Sequence, residues 1–253
     1  MKIITLNLNG VENAEERGFS EWLKNCDADI VCVQNLRCKE YQIPQHVLEV
    51  PGFEAFFADA EEDDFSGVGI YCRKMPKAVI RGLGFPQCDI EGRFIQADFD
   101  NFSICSVLFP YASDDEEQEL KFQFMEQFKA HLKKTRRKRR EYIFVGTFHM
   151  AHRTIDLGNW ENHQRNPGFL PEERAWMDQI VGPLGYVDAF RQINKRELQH
   201  TWWPFDEAQR FGMRIDYQII TPELAPYIDT ARIITDPRLS PHCMLEVDYD
   251  LEL

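Results

Sequence analysis

A chain of 253 residues with 43% hydrophobic and 28% charged residues can bury a sizeable core and falls outside the disordered and membrane classes. Its formal net charge of -13 repels a polyanion on average, so any contact with nucleic acid has to come from a local cationic patch. Seven scattered cysteines (Cys26, Cys32, Cys38, Cys72, Cys88, Cys105 and Cys243), with no CxxC pair, exclude a disulfide framework and a zinc knuckle and read as reduced, mostly buried thiols.

Met1-Lys2-Ile3-Ile4-Thr5 leads straight into an apolar strand pattern without a signal-peptide core, and no apolar run reaches membrane-spanning length, so one cytoplasmic domain over 1–253 is expected. Ile3–Leu6 reads as a buried strand. Asn13 followed by Glu16 suggests a capping box opening a helix that carries Phe19, Trp22 and Leu23. Asp29–Gln34 gives a second buried strand, and Gly67–Arg73, Phe94–Phe99 and Ser103–Leu108 are strand-like runs separated by Gly, Pro and Asp.

Leu120, Phe124, Phe128 and Leu132, with Met125 alongside, form one apolar stripe on a helix whose last turn enters the run Lys133-Lys134-Thr135-Arg136-Arg137-Lys138-Arg139-Arg140. Glu141–Val145 follows as a buried strand ending at Gly146. Pro171, Glu172 and Glu173 suit a helical first turn, with Ala175, Trp176, Met177 and Ile180 on its buried side. The pattern is that of a sheet-dominated α/β domain.

Polar residues sit at the ends of these strands along the whole chain: Asn7-Leu8-Asn9-Gly10, Gln34-Asn35, Gly146-Thr147-Phe148-His149, Arg214-Ile215-Asp216 and Ser240-Pro241-His242. With Gly168-Phe169-Leu170-Pro171-Glu172-Glu173-Arg174-Ala175-Trp176-Met177-Asp178 and Trp202-Trp203, they make the chain similar, over essentially its full length, to the exonuclease III and apurinic endonuclease family of the endonuclease/exonuclease/phosphatase superfamily. That resemblance implies a four-layered α/β sandwich of the exonuclease III or DNase I-like type.

In that family a Gln-Glu pair, a Gly-Asp-x-Asn motif and a Ser-Asp-His motif supply the metal-binding and water-activating carboxylates. Here Asn35, Thr147, His149 and Pro241 stand at the matching positions, and Leu108 stands where the family has a tyrosine, while Asn7, Asp216 and His242 are kept. Mg²⁺ chemistry needs carboxylate oxygens, so the resemblance combined with these substitutions leads to the expectation of a non-enzyme with a vestigial site and no metal or other cofactor. His149-x-x-His152 with His163 has metal-ligand residue types, yet such a pair at a strand end reads as surface or hydrogen-bonded core histidines.

The run Arg136–Arg140 leading into Glu141-Tyr142-Ile143, with Asn159-Trp160, Pro167–Leu170 and the ending Val247–Asp250, resembles a non-catalytic branch of the same family, the catabolite repression regulators of pseudomonads. That branch implies translational co-repression in carbon catabolite repression, acting with the RNA chaperone Hfq on A-rich mRNA, with no membrane contact and self-association left open. The alternative is a divergent Mg²⁺-dependent exodeoxyribonuclease or AP endonuclease. Lys133, Lys134, Arg136, Arg137, Lys138, Arg139 and Arg140 are then the candidate RNA or partner contacts, since seven cations in eight residues exceed what a helix C-terminus calls for. Trp202-Trp203 fits loop or core packing at least as well as base stacking, so no aromatic reading platform is expected beside the basic run.

Overall fold

The computed structural model describes residues 1–203 and 211–253. In chain order its regular elements are β1 (Lys2–Asn7), α1 (Val11–Glu15), α2 (Phe19–Asn25), β2 (Ile30–Gln34), α3 (Gln45–Leu48), β3 (Glu54–Ala58), β4 (Val68–Cys72), β5 (Ala78–Arg81), α4 (Pro86–Ile90), β6 (Phe94–Asp98), β7 (Phe102–Leu108) and α5 (Asp115–Thr135), followed by β8 (Glu141–Thr147), α6 (Pro171–Val181), β9 (Val187–Asp188), α7 (Ala189–Ile193), β10 (Asp216–Ile220), β11 (Ile228–Ile234) and β12 (Met244–Tyr249).

The strands form two six-stranded sheets, ordered β11-β12-β1-β2-β4-β3 and β5-β6-β7-β8-β10-β9. Only β1 with β2 and β7 with β8 pair in parallel, and the other ladders are antiparallel. Side chains alternate across each strand, so every central strand contributes to two layers. Ile3, Ile30, Cys32, Ile143, Val145, Ile220, Leu245 and Val247 meet between the sheets. Their neighbours Ile4, Leu6, Val31 and Val33 face outward onto α1 and α2 through Val11, Ala14, Phe19 and Leu23. On the other side Tyr142, Phe144, Tyr217 and Ile219 pack under α5 and α6 through Phe124, Phe128, Leu132, Trp176, Met177 and Ile180. Helices, sheet, sheet and helices give the expected four-layered α/β sandwich.

The layer between the sheets changes character along its length. Past the aliphatic residues, the inward positions become Thr5, Asn7, Gln34, Ser106, Thr147, Asp216 and Gln218, all buried. A buried polar group costs free energy unless bonded, and these bond across the seam. Gln34 accepts from Thr5 Oγ1 at 3.0 Å and donates to Ser106 Oγ at 2.9 Å, and Gln218 Nε2 donates to the Ile3 carbonyl at 3.0 Å. The two sheets are thereby locked in register where the cleft opens.

Three sequence expectations change. The helix placed after Asn13 is two short helices broken at Gly18, whose φ of 84° is left-handed, and Asn13 donates back to the Asn9 carbonyl instead of capping. Leu120 and Ala175 leave the apolar faces of their helices. The buried side of α5 is Gln118, Lys121, Phe124, Met125, Phe128, Leu132 and Thr135, because the Lys121 ammonium is neutralised by Glu173 at 2.5 Å. All seven cysteines are free, and five of them are buried. Among the described residues no helix is long and apolar enough to cross a membrane.

Candidate active site

A cleft of about 600 Å³ opens at the polar end of the seam, lined among others by Asn9, Asn35, Tyr111, His149, Trp202 and His242. Asn9, Asn35 and His149 hold φ values of 51°, 60° and 50° in the left-handed region that side-chain-bearing residues rarely occupy. Asn and His are among the residue types enriched there, and backbone strain of this kind collects at functional sites. Each lies just past the end of a strand of the seam, β1, β2 or β8, and all three line the one opening.

Below them runs a hydrogen-bonded chain that joins four residues from four strands or loops. Asn7 Nδ2 donates to Thr147 Oγ1 at 3.1 Å, Thr147 Oγ1 donates to Asp216 Oδ1 at 2.5 Å, and Asp216 Oδ2 lies 2.9 Å from His242 Nδ1. Ser240 Oγ donates to the Asn7 carbonyl at 2.5 Å and accepts from the His242 amide at 3.1 Å, which fixes the histidine loop to β1. Burial by itself would raise the Asp216 carboxyl, but His242 and the hydroxyl donors outweigh it and hold the carboxyl below its usual range. An ionised carboxylate only accepts, so Nδ1 of His242 carries a proton and Nε2 is the nitrogen left for the cleft.

His149 is organised differently. Its Nδ1 lies 2.9 Å from the Phe109 carbonyl, which also only accepts, so Nδ1 is protonated and Nε2 is an acceptor. Burial and the nearby Lys121 ammonium push its pKa down to about 3, which keeps the ring neutral.

The expected site residues thus divide. Asn7, Thr147, Asp216 and His242 come together in one chain, and Asn35 and His149 line the cleft above it. Pro241 flanks His242 with its carbonyl near Arg238 Nη2 at 3.4 Å and brings no side-chain donor. His152 is paired with Asp178 at 2.8 Å and His163 with Asn166 at 3.0 Å, so the three histidines do not converge.

The family's magnesium ion does not fit this donor set. Asp216 is the one carboxylate among the four residues Asn7, Thr147, Asp216 and His242, both its oxygens are engaged, and among the described residues no group of three or more His, Cys, Asp or Glu side chains is arranged to hold a metal.

The basic run lies at the opposite end of β8, about 20 Å from Thr147 if seven strand residues rise roughly 3.3 Å each. It is not uniformly available. Arg136 pairs with Glu223 at 3.1 Å and covers Tyr186, Lys138 lies over Tyr142, and Arg140 donates to Ser103 Oγ at 2.6 Å and to the carbonyls of Phe99 and Phe102, both at 2.5 Å. Lys133, Lys134, Arg137 and Arg139 are exposed and make no ion pair among the described residues.

Two constellations escaped the sequence reading. Asp156, Arg191, Arg214 and Asp188 form a buried ion network next to the cleft, assembled from segments with no shared motif. Tyr111 stands exposed on the cleft rim, and its signal was only that an aromatic follows Pro110 directly. Trp202 does line the cleft, with its ring 6.5 Å from that of His242, whereas Trp203 packs against His200 and Arg238.

Residues 4–237 match the model of the Endonuclease/Exonuclease/phosphatase family. An exodeoxyribonuclease of Bacillus subtilis is 29% identical over 253 residues, covering 98% of this chain and 98% of that protein. A DNA-(apurinic or apyrimidinic site) endonuclease of Dictyostelium discoideum is 29% identical over 262 residues, covering 99% of this chain and 71% of that protein. The structure of an AP endonuclease from Archaeoglobus fulgidus superposes with a TM-score of 0.90 at 25% identity, covering 99% of this chain and 100% of that one.

These matches bear out the fold and overturn the expectation of a non-enzyme. A chain 25–29% identical over nearly its whole length to proteins named as nucleases does not stand with a regulatory, RNA-binding pseudoenzyme branch. Asn35, Thr147 and Pro241 are accordingly divergence within a family whose similar members are named as nucleases.

Proposed function

Because the chain belongs to the Endonuclease/Exonuclease/phosphatase family, we propose that it is a divergent phosphodiesterase acting on nucleic acid, of the exodeoxyribonuclease or AP endonuclease kind. The observation that carries the reading is the Asp216–His242 pair at 2.9 Å, kept buried at the floor of a cleft large enough for a nucleotide. Asp216 accepts from His242 Nδ1 and orients the imidazole, so His242 Nε2 faces the cleft where it can take a proton from, or pass one to, an oxygen of the scissile phosphodiester. Asn7 and Thr147 keep the Asp216 oxygens aligned. No step of this reading runs through a metal ion, since the donor set does not fit one.

The test is incubation of the purified chain with labelled duplexes that carry one abasic site or a recessed 3′ end, with divalent cation and with chelator. Cleavage that follows the protein through purification and disappears in His242→Ala is expected. No cleavage of either substrate under either condition would overturn the reading.

A further inference from the structure

Between β7 and α5 the chain leaves the second sheet through Leu108, Phe109, Pro110, Tyr111 and Ala112. Four of these five are buried, and Tyr111 alone is turned out, 66% exposed. Its flanks are fixed. The Phe109 amide donates to the Thr147 carbonyl at 2.9 Å, its carbonyl accepts from His149 Nδ1 at 2.9 Å, and its ring stacks on Phe148 with centroids 4.3 Å apart. A large aromatic held by such anchors on a cleft rim loses little freedom when a flat partner covers it.

Two neighbours complete the wall. Leu120, on the first turns of α5, lines the same cleft and is 44% exposed. The His149 ring meets Tyr111 edge-on, with centroids 5.6 Å apart and planes at 77°, and its Nε2 is an acceptor because Nδ1–H is committed.

We propose that Tyr111, Leu120 and His149 form a subsite for an unstacked nucleobase, with Tyr111 and Leu120 taking its face and His149 Nε2 accepting from an exocyclic amino group. The inference rests on the nucleic-acid reading above and names the part of the substrate this wall takes. A phosphate does not suit the wall. Of the cations that line the cleft, Lys121 is committed to Glu173 at 2.5 Å and to the His149 carbonyl at 2.7 Å, Arg37 pairs with Asp64 and Arg93 with Glu91, and Glu117 adds a carboxylate. A flat donor-bearing ring matches both the apolar face and the acceptor, and stacking tolerates any base.

The probe is a short single-stranded oligonucleotide with an internal 2-aminopurine and a fluorescein end label, so that anisotropy reports binding and 2-aminopurine fluorescence reports stacking. The wild-type chain is expected to raise the anisotropy and quench the 2-aminopurine. Tyr111→Ala should abolish the quench and weaken binding about tenfold, toward the lower end of base–aromatic stacking, while Tyr111→Phe retains both. His149→Phe should keep the quench and weaken binding of 2-aminopurine more than of an oligonucleotide with a bare purine at the same position. Quenching by Tyr111→Ala equal to wild type at equal occupancy would overturn the subsite and leave the nucleic-acid reading standing. A flat wild-type anisotropy would overturn the subsite too, and the duplex-cleavage test above would still decide the nucleic-acid reading.

Discussion

Arg214 and Asp216 are two residues apart, yet they belong to two buried polar clusters built on different terms. Arg214 sits in a closed set: Asp156 accepts from Arg214 Nε at 2.7 Å and from Arg191 Nε at 2.9 Å, and Arg214 Nη2 donates to Asp188 Oδ2 at 2.6 Å. Two guanidinium groups meet two carboxylates, charge cancels within the set, and the Asp156 carboxyl is held at about 2 against the upward push of burial. Asp216 meets only hydroxyls and one imidazole, and its chain ends on His242 at the cleft. The first cluster has every group matched from inside the protein and serves the fold. The second ends on His242 Nε2, which has no partner among the described residues and faces the cleft.

The largest effect should come from breaking the closed cluster. Asp156→Ala takes from two buried guanidinium groups the carboxylate they share and leaves Asp188 alone to balance both charges, and losing one partner of a buried pair costs about 3–5 kcal/mol. Urea denaturation should show that loss, whereas His242→Ala, at the open end, should lower the unfolding free energy far less and act on cleavage. Equal losses in the two variants would erase the distinction between the clusters.

A second test turns the open cluster toward the closed kind. Thr147→Asp would place a second carboxylate where a hydroxyl now donates to Asp216 at 2.5 Å. Two buried carboxylates in contact repel, so one is forced to protonate and the melting temperature should fall, by several degrees for about 2 kcal/mol. Millimolar Mg²⁺ should restore part of the loss in the variant and leave the wild type unmoved, because the cation supplies the charge that the pair lacks. A variant melting curve indifferent to Mg²⁺ would show that the cleft geometry, and not only the side chain at this position, has departed from a metal site.

A smaller effect follows from pH. Burial lowers His149 to about 3 and His131 to about 4 from an ordinary 6.5, and His200 shifts in the same direction. Above pH 6.5 these rings are neutral in both states and contribute no pH dependence. Below it the unfolded chain takes protons that the fold refuses, so stability declines as pH drops from about 6.5 toward 3–4. The Asp156 contribution is lost only lower, from its ordinary 3.8 down to about 2. Urea midpoints at pH 7 and pH 5 therefore isolate the histidines, and His131→Gln should flatten the difference. An unchanged slope would remove His131 from the account.

The sequence made legible what repeats or aligns at short range. Alternation in Ile143-Phe144-Val145 and Ile3-Ile4-Thr5 gave strands with two faces, and polar residues closing several such strands pointed to one site between the sheets. Lost to it were features that depend on distant partners. Nothing near Lys121 shows that Glu173 neutralises it, so the periodicity puts Leu120 in the core while the fold puts it on the cleft wall. Nothing near Asp156 shows two arginines converging from 35 and 58 residues away. The missing carboxylates were legible as residues but not as function, since one position states which donor is absent and not what the rest of the cleft still does.

The same limit applies to the basic run, and it gives the smallest predicted effect. Arg140 reaches Ser103 Oγ and the carbonyls of Phe99, Asp100 and Phe102, tying the α5–β8 connection to the β6–β7 turn, so Arg140→Glu should remove four hydrogen bonds and place a carboxylate near Asp98. A cost of about 1–2 kcal/mol is expected, because water replaces part of these partly exposed bonds and each contributes toward the low end of a net value of about 0.5–1.5 kcal/mol. Arg137 and Arg139 are exposed and make no ion pair among the described residues, so Arg137→Glu with Arg139→Glu should stay within about 0.5 kcal/mol of wild type. Their reversal should instead reduce the salt dependence of nucleic-acid binding without touching 2-aminopurine quenching in the cleft, because the run lies at the far end of β8. Urea melts and salt titrations of the two variants separate the cations that hold the fold from those that face a ligand, and a double variant as unstable as Arg140→Glu would show that the whole run is structural.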